Sequence, residues 1–197
     1  RTSELMMANQ VLSLEIEERR RAENALRDSE RKLSDIISFL PDATFVVDCD
    51  GKVIAWNRSM EAMTGIAAAE MLGKGDYEHS LPFYGKRRPM LIDIALAGDT
   101  DAAGRKAGIV KRGGIFFGES YTPALAGRSD RVYLSGTAAP LYDARGRIVG
   151  AVESIRDISE RKRTEEALRY RDAILEVASF AAERFLKAAS WETDILE

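Results

Sequence analysis

Thr44-Phe-Val-Val-Asp-Cys-Asp-Gly-Lys-Val-Ile-Ala-Trp-Asn57 reads as two short strands folded about a turn. Thr44 to Asp48 and Lys52 to Trp56 are rich in β-branched and aromatic side chains, and Cys49-Asp50-Gly51 between them holds the Asp-Gly pair that closes a hairpin. Asn57 stands where a helix N-cap belongs, ahead of Arg58 to Met63, and Thr64-Gly65 supplies the stop. A second short helix fits Ala67 to Leu72 and ends at Gly73.

Working outward toward the C-terminus, Gly73 to Pro82 is irregular, and Arg88 to Ala97 then carries Met90, Leu91, Ile94, Ala95 and Leu96 at helical spacing before Gly98. Gly114 to Leu125, Arg131 to Tyr142 and Arg147 to Ile155 are longer β-rich runs, separated by the turn residues Gly127 to Asp130 and Asp143 to Gly146. These connections are too short for parallel crossovers, so the last three strands form a meander. The expected fold class is α+β, with a five-stranded antiparallel sheet and helices on one face.

On both sides of this unit the period changes. Leu5, Ala8, Leu12, Ile16, Ala22, Leu26, Leu33, Ile36, Ile37 and Leu40 alternate threes and fours, which is a heptad seam interrupted by Arg19. Opposite charges four apart, such as Glu17 with Arg21 and Glu23 with Arg27, lace its polar face, and Pro41 closes it. A lone helix this polar is marginal, so a partner helix is implied. The run Ile16 to Arg27 returns as Ile158 to Arg169 at a constant offset of 142, with eight of twelve positions identical. Such repetition marks an array of connector helices and domains. The divisions are 1–40 for the first helix, 41–157 for the α+β domain and 158–197 for the second helix.

The order of elements, with Leu40-Pro-Asp-Ala43, Val46-Val-Asp48, Gly51, Trp56-Asn57, Met63-Thr-Gly65 and the closing Val152-Glu-Ser-Ile-Arg-Asp-Ile-Ser159, resembles a PAS domain of the kind found in sensor histidine kinases. The flanking helices resemble the coiled-coil linkers that join such domains to one another and to outputs. Arg171 to Glu197 looks like the opening helix of a GAF domain. The resemblance implies a sensory, signal-relaying module that forms a homodimer through its flanking helices and acts on a downstream kinase or GAF domain of the same chain. Asp157, Ile158, Ser159 and Glu160 form the expected relay joint. Asp157 and Glu160 have a capping-box-like spacing, so that the carboxylate meets backbone N–H groups at the start of the output helix. Two other readings stay open: a ligand-free dimerising spacer, and a segment of a diguanylate cyclase.

Composition excludes several chemistries. A net charge of -3 on 61 charged side chains gives no field for nucleic acid. The single cysteine, Cys49, permits neither an internal disulfide nor a cysteine metal cluster. His79 is the one histidine, with no Gly-x-Ser-x-Gly elbow and no phosphate-binding glycine loop, so the segment is not expected to be an enzyme. No apolar run of membrane length and no secretory signal occurs. The segment is expected to be cytoplasmic without direct membrane contact. It starts at Arg1 and stops within a helical pattern at Glu197, which reads as a piece of a longer protein, itself free to be membrane-anchored.

The cofactor is left unknown. A haem is disfavoured because His79 precedes Pro82, outside the helix in which haem-binding PAS domains hold their ligand, and a flavin because Cys49 lies in the first turn. Tyr77, His79, Phe83, Tyr84, Arg88 and Tyr121 are the candidate lining of a small-molecule pocket, with an anion as one possible guest; the same aromatics equally suit a filled core.

Overall fold

The computed structural model describes residues 2–98, 108–122, 125 and 132–193. A long helix α1 (Thr2–Ser38) leads into the hairpin β1 (Ala43–Asp48) and β2 (Val53–Trp56). Short helices α2 (Arg58–Thr64) and α3 (Ala68–Met71), a 3₁₀ turn at Glu78–Ser80, α4 (Leu81–Tyr84) and α5 (Leu91–Ala97) follow. Strands β3 (Val110–Arg112), β4 (Ile115–Thr122), β5 (Val132–Tyr142) and β6 (Ile148–Asp157) then lead into α6 (Ser159–Thr193). The sheet order is β2-β1-β6-β5-β4-β3, and every neighbouring pair is antiparallel.

Local chemistry accounts for the hairpin and its helix. Asp48 Oδ1 accepts the N–H groups of Asp50 and Lys52, both at 2.9 Å, and Gly51 takes φ 75°, a conformation that other residues resist. Asn57 caps α2 and also does something capping alone does not require. Its Oδ1 accepts Met60 N–H at 2.8 Å and Thr44 N–H at 2.9 Å, while its Nδ2 donates to Asp42 O at 2.9 Å and Leu40 O at 3.3 Å. One buried side chain thus ties the exit of α1, the strand β1 and the start of α2 together.

The core lies between the sheet and α2 to α5. Phe45, Met60, Phe83, Ile92 and Phe116 are fully buried there, and Phe45 meets Trp56 edge-on at 5.6 Å between ring centres. The chain departs from the expected pattern in four places. A sixth strand, β3, pairs with β4 across Gly113-Gly114, both at positive φ, so the sheet has one strand more than the five expected and β3 takes the edge beside β4. The stretch 73–82 contains the 3₁₀ turn and the start of α4. The second short helix spans four residues, Ala68–Met71. Helix α5 starts at Leu91 and not at Arg88, because Pro89 disfavours a helical Arg88 and the Asp93 carboxylate accepts Met90 N–H at 2.7 Å, fixing the cap there. The expected turn at 127–130 lies outside the described residues.

The long helices are different in kind. Leu12, Ile16, Leu26, Leu33 and Ile36 of α1, and Leu168, Ile174 and Leu175 of α6, are exposed. Arg21 pairs with Glu17 at 3.2 Å on the polar face of α1, as the spacing predicts, and Arg19 pairs with Glu23 at 3.0 Å.

Candidate functional site

Strands β4 and β5 place two glycines directly opposite each other, Gly118 against Gly136, on the face turned to α5. Added β-carbons would come 3.7 Å from Leu91 Cδ1 at Gly118 and 3.2 Å from Leu91 Cδ2 at Gly136. Strand glycines without side chains let α5 stand over an unfilled floor. The result is a cavity of about 290 Å³ between the sheet, α4 and α5. Phe83, Met90, Leu91, Ile94, Leu134 and Ile155 make its lining mainly apolar, and exposed Arg88, Glu119 and Ser120 lie on its rim.

One polar group stands in this apolar lining. Glu153 is 3% exposed and lines the cavity from β6. Its Oε2 accepts Ile92 N–H at 2.9 Å, and its Oε1 lies 3.0 Å from where a β-carbon on Gly136 would sit. Burial pushes its carboxyl up to about 8, with the negative charge of Asp93 adding to the effect and the Ile92 N–H opposing it. That shift favours the neutral carboxylic acid at pH 7, a form able to donate a hydrogen bond.

Sequence reasoning missed Glu153, although a signal was present. Ala151, Glu153 and Ile155 alternate with Val152, Ser154 and Arg156, so a carboxylate falls on the strand's apolar face. Of the expected pocket residues, Phe83, Tyr84 and Arg88 line the cavity, with the Arg88 guanidinium 4.4 Å over the Tyr84 ring. The other three lie elsewhere. Tyr121 alternates away from the Gly118 and Ser120 side of β4 and rests against Tyr133 at 5.8 Å. Tyr77 is partly exposed in a left-handed conformation, φ 57°. His79 is buried in the core against Phe45, its Nε2 3.2 Å from Asp93 Oδ2 and its Nδ1 without a partner among the described residues. Asp93 thus serves α5 and His79 together.

Among the residues expected to form the relay joint, Ile158 and Ser159 are tied to β5 by hydrogen bonds. Asp157 Oδ1 accepts Ser159 N–H at 2.9 Å, Ser159 Oγ accepts Tyr133 N–H at 2.9 Å, and Ile158 N–H donates to Tyr133 O at 2.8 Å. The capping interaction expected of Asp157 is present at the first residue of α6, whereas the reciprocal reach of Glu160 is not: Glu160 is exposed, and its backbone carbonyl accepts the Thr164 hydroxyl. Two further contacts brace this end of the domain. Arg156 grips Asp42 with two bonds of 2.9 and 2.7 Å, linking the last strand to the exit of α1. Glu119 on the cavity rim meets Lys162 at 2.7 Å and Arg161 at 2.8 Å on the first turns of α6, and these cations, Lys162 foremost, hold its carboxyl below the usual range.

Among the described residues, no group of His, Cys, Asp and Glu is arranged to hold a metal ion, and no helix is long and apolar enough to cross a membrane. No curated protein matches the chain. Among solved structures, the PAS domain of Bordetella pertussis BvgS aligns at 20% identity over 75% of this chain and 98% of that one, with a TM-score of 0.47. A PAS domain from Colwellia psychrerythraea aligns at 21% identity over 66% and 97%, TM-score 0.45. An RNA-binding light-oxygen-voltage receptor aligns at 19% identity over 74% of this chain and 37% of that one, TM-score 0.50. At these identities the likeness is one of fold. The sequence model described as the PAS fold matches residues 38–163, from the last residue of α1 into the opening turns of α6, and the chain belongs to that family.

Proposed function

We propose that this PAS domain is the sensory and relay module of a two-component-type signalling protein in the cytoplasm. It dimerises through α1 and α6, holds a small molecule beneath α5, and passes a change of packing through Asp157, Ile158 and Ser159 into α6, toward a kinase or GAF domain further along the chain. The observation that carries this reading is that α6 is fastened to the strands that line the cavity: Ser159 and Ile158 to Tyr133 of β5, and Arg161 and Lys162 to Glu119 of β4. A change of strand position beneath α5 is therefore felt at the first two turns of α6. The exposed seam leucines support a dimer, since apolar stripes on long helices bury themselves against a partner. The cavity favours a ligand-holding module over a spacer, which would have filled its core.

In the full-length protein, Asp157→Ala is expected to leave the sheet domain folded and to uncouple input from output activity. Unchanged signalling in that variant removes the joint from the mechanism. Sedimentation at micromolar concentration is expected to give a dimer, and Leu26→Glu with Leu33→Glu a monomer whose sheet domain still melts cooperatively. A monomeric wild-type protein under those conditions overturns the dimer.

A further inference from the structure

The cavity differs from a generic apolar hole in having a single carboxyl group in its wall, and that group constrains its occupant. We propose that the cavity takes a small uncharged molecule, apolar over most of its surface, whose one hydrogen-bond acceptor meets the carboxylic acid of Glu153. This rests on the ligand-holding reading above and specifies its chemistry.

Glu153 Oε2 is occupied by Ile92 N–H, whereas Oε1 forms no hydrogen bond among the described residues and lies over the bare backbone of Gly136. The neutral acid, favoured by burial, presents its proton on Oε1 to whatever fills the space. The surroundings argue against charge in either sense. The titratable and charged groups near Glu153 are Asp93 of α5, with His79 behind it, and Arg88 at the rim, whereas the Glu119 side chain alternates to the other face of β4 and pairs with Arg161 and Lys162. The strand neighbours β1 and β5 place Phe45 and Ala138 opposite it. An anionic guest would sit against the Glu153 carboxyl with the negative charge of Asp93 close behind it, and Arg88 lies at the exposed rim, stacked on Tyr84. A cation would ionise Glu153 and bury a charge pair, which needs several further hydrogen bonds that Leu91, Ile94, Leu134 and Ile155 do not supply. A dry cavity of about 150 Å³ holds benzene. On that scale 290 Å³ suits a substituted ring or a small bicyclic molecule.

The test uses four single-ring probes of similar size at pH 7: acetophenone, ethylbenzene, benzoate and benzamidine, titrated into the whole chain by calorimetry or NMR. Acetophenone is expected to bind about threefold to tenfold tighter than ethylbenzene, the worth of one hydrogen bond, with benzoate and benzamidine weaker than both. The preference for acetophenone should fade in the wild-type protein as pH rises from about 7 to about 9 and Glu153 ionises. Glu153→Gln, which keeps a donor, should retain the preference at both pH values, and Glu153→Leu should erase it. If Glu153→Leu fails to fold, the glutamine variant and the pH profile still decide. Gly136→Ala, with its methyl 3.0 Å from Glu153 Oε1, should weaken every probe that binds. Tightest binding of benzoate or benzamidine, or an acetophenone preference indifferent to Glu153 and to pH, overturns this proposal and leaves the cavity a ligand site. Failure of all four probes to bind at millimolar concentration overturns the ligand-holding reading with it.

Discussion

The two halves of the sheet solve the packing problem differently. On the β2-β1 side, Phe45, Trp56, Met60 and Val47 fill the space against α2, and Asn57 satisfies four backbone groups at once. On the β5-β4 side, two facing glycines leave room under α5, and a carboxyl group is buried with only one N–H for company. The first half follows the rules of a stable core, filling its volume and pairing its polar groups, the Nδ1 of buried His79 excepted. The second breaks both rules at one place, next to the strands that carry α6. Unfilled volume of this kind beside a buried acid, in a domain packed tightly elsewhere, is where function is expected.

Removing the hub of the packed half should cost most. Asn57→Ala leaves the Thr44 N–H unpaired and removes the side-chain cap of α2, while Met60 N–H keeps the backbone carbonyl of residue 57, so urea unfolding should show a loss of about 2 kcal/mol. A loss under about 1 kcal/mol would mean that the packed half tolerates unpaired groups as readily as the hollow one. The hollow half should show a smaller effect with a pH signature. Because Glu153 has a folded value raised from 4.5 to about 8, the native state binds more protons than the unfolded chain between those values. Its contribution is therefore fully present below about 4.5 and is lost as pH rises toward 8. Between about pH 6 and 7, the stability of wild-type protein relative to Glu153→Gln should fall by on the order of 1 kcal/mol. A difference constant across that interval would show that Glu153 is already ionised and that the two halves are electrostatically alike.

Legibility in the sequence divided along the same line. The hairpin, the Asn57 cap, the α5 pattern and the three closing strands are local signals, and each appears within a few residues of its expected bounds. β3 was missed because three residues, Val110–Arg112, pair only by virtue of the two glycines that fold them back on β4. In the site, Phe83, Tyr84 and Arg88 came together on one wall because α4 and the segment before α5 are contiguous. Tyr121 did not join them, since side chains alternate along β4 and its neighbours Gly118 and Ser120 face the cavity. His79 was read as a pocket residue, yet it packs against Phe45 and bonds Asp93, a partner fourteen residues away.

From its residues alone, the chain specifies its modular order: a heptad helix, an α+β unit and a second helix repeating the first, because periodicity, capping and turn chemistry act over a few neighbouring residues. The Asp157 to Ser159 joint belongs partly to this class, since the carboxylate and the N–H it accepts are two residues apart. The hollow and its acid belong to the other. They require the register that sets Gly118 against Gly136, the pairing that brings β6 beside β5, and the docking of α5 across all three strands. Those contacts join residues far apart in the chain, and the environment of Glu153, hence its protonation, exists only once they are made.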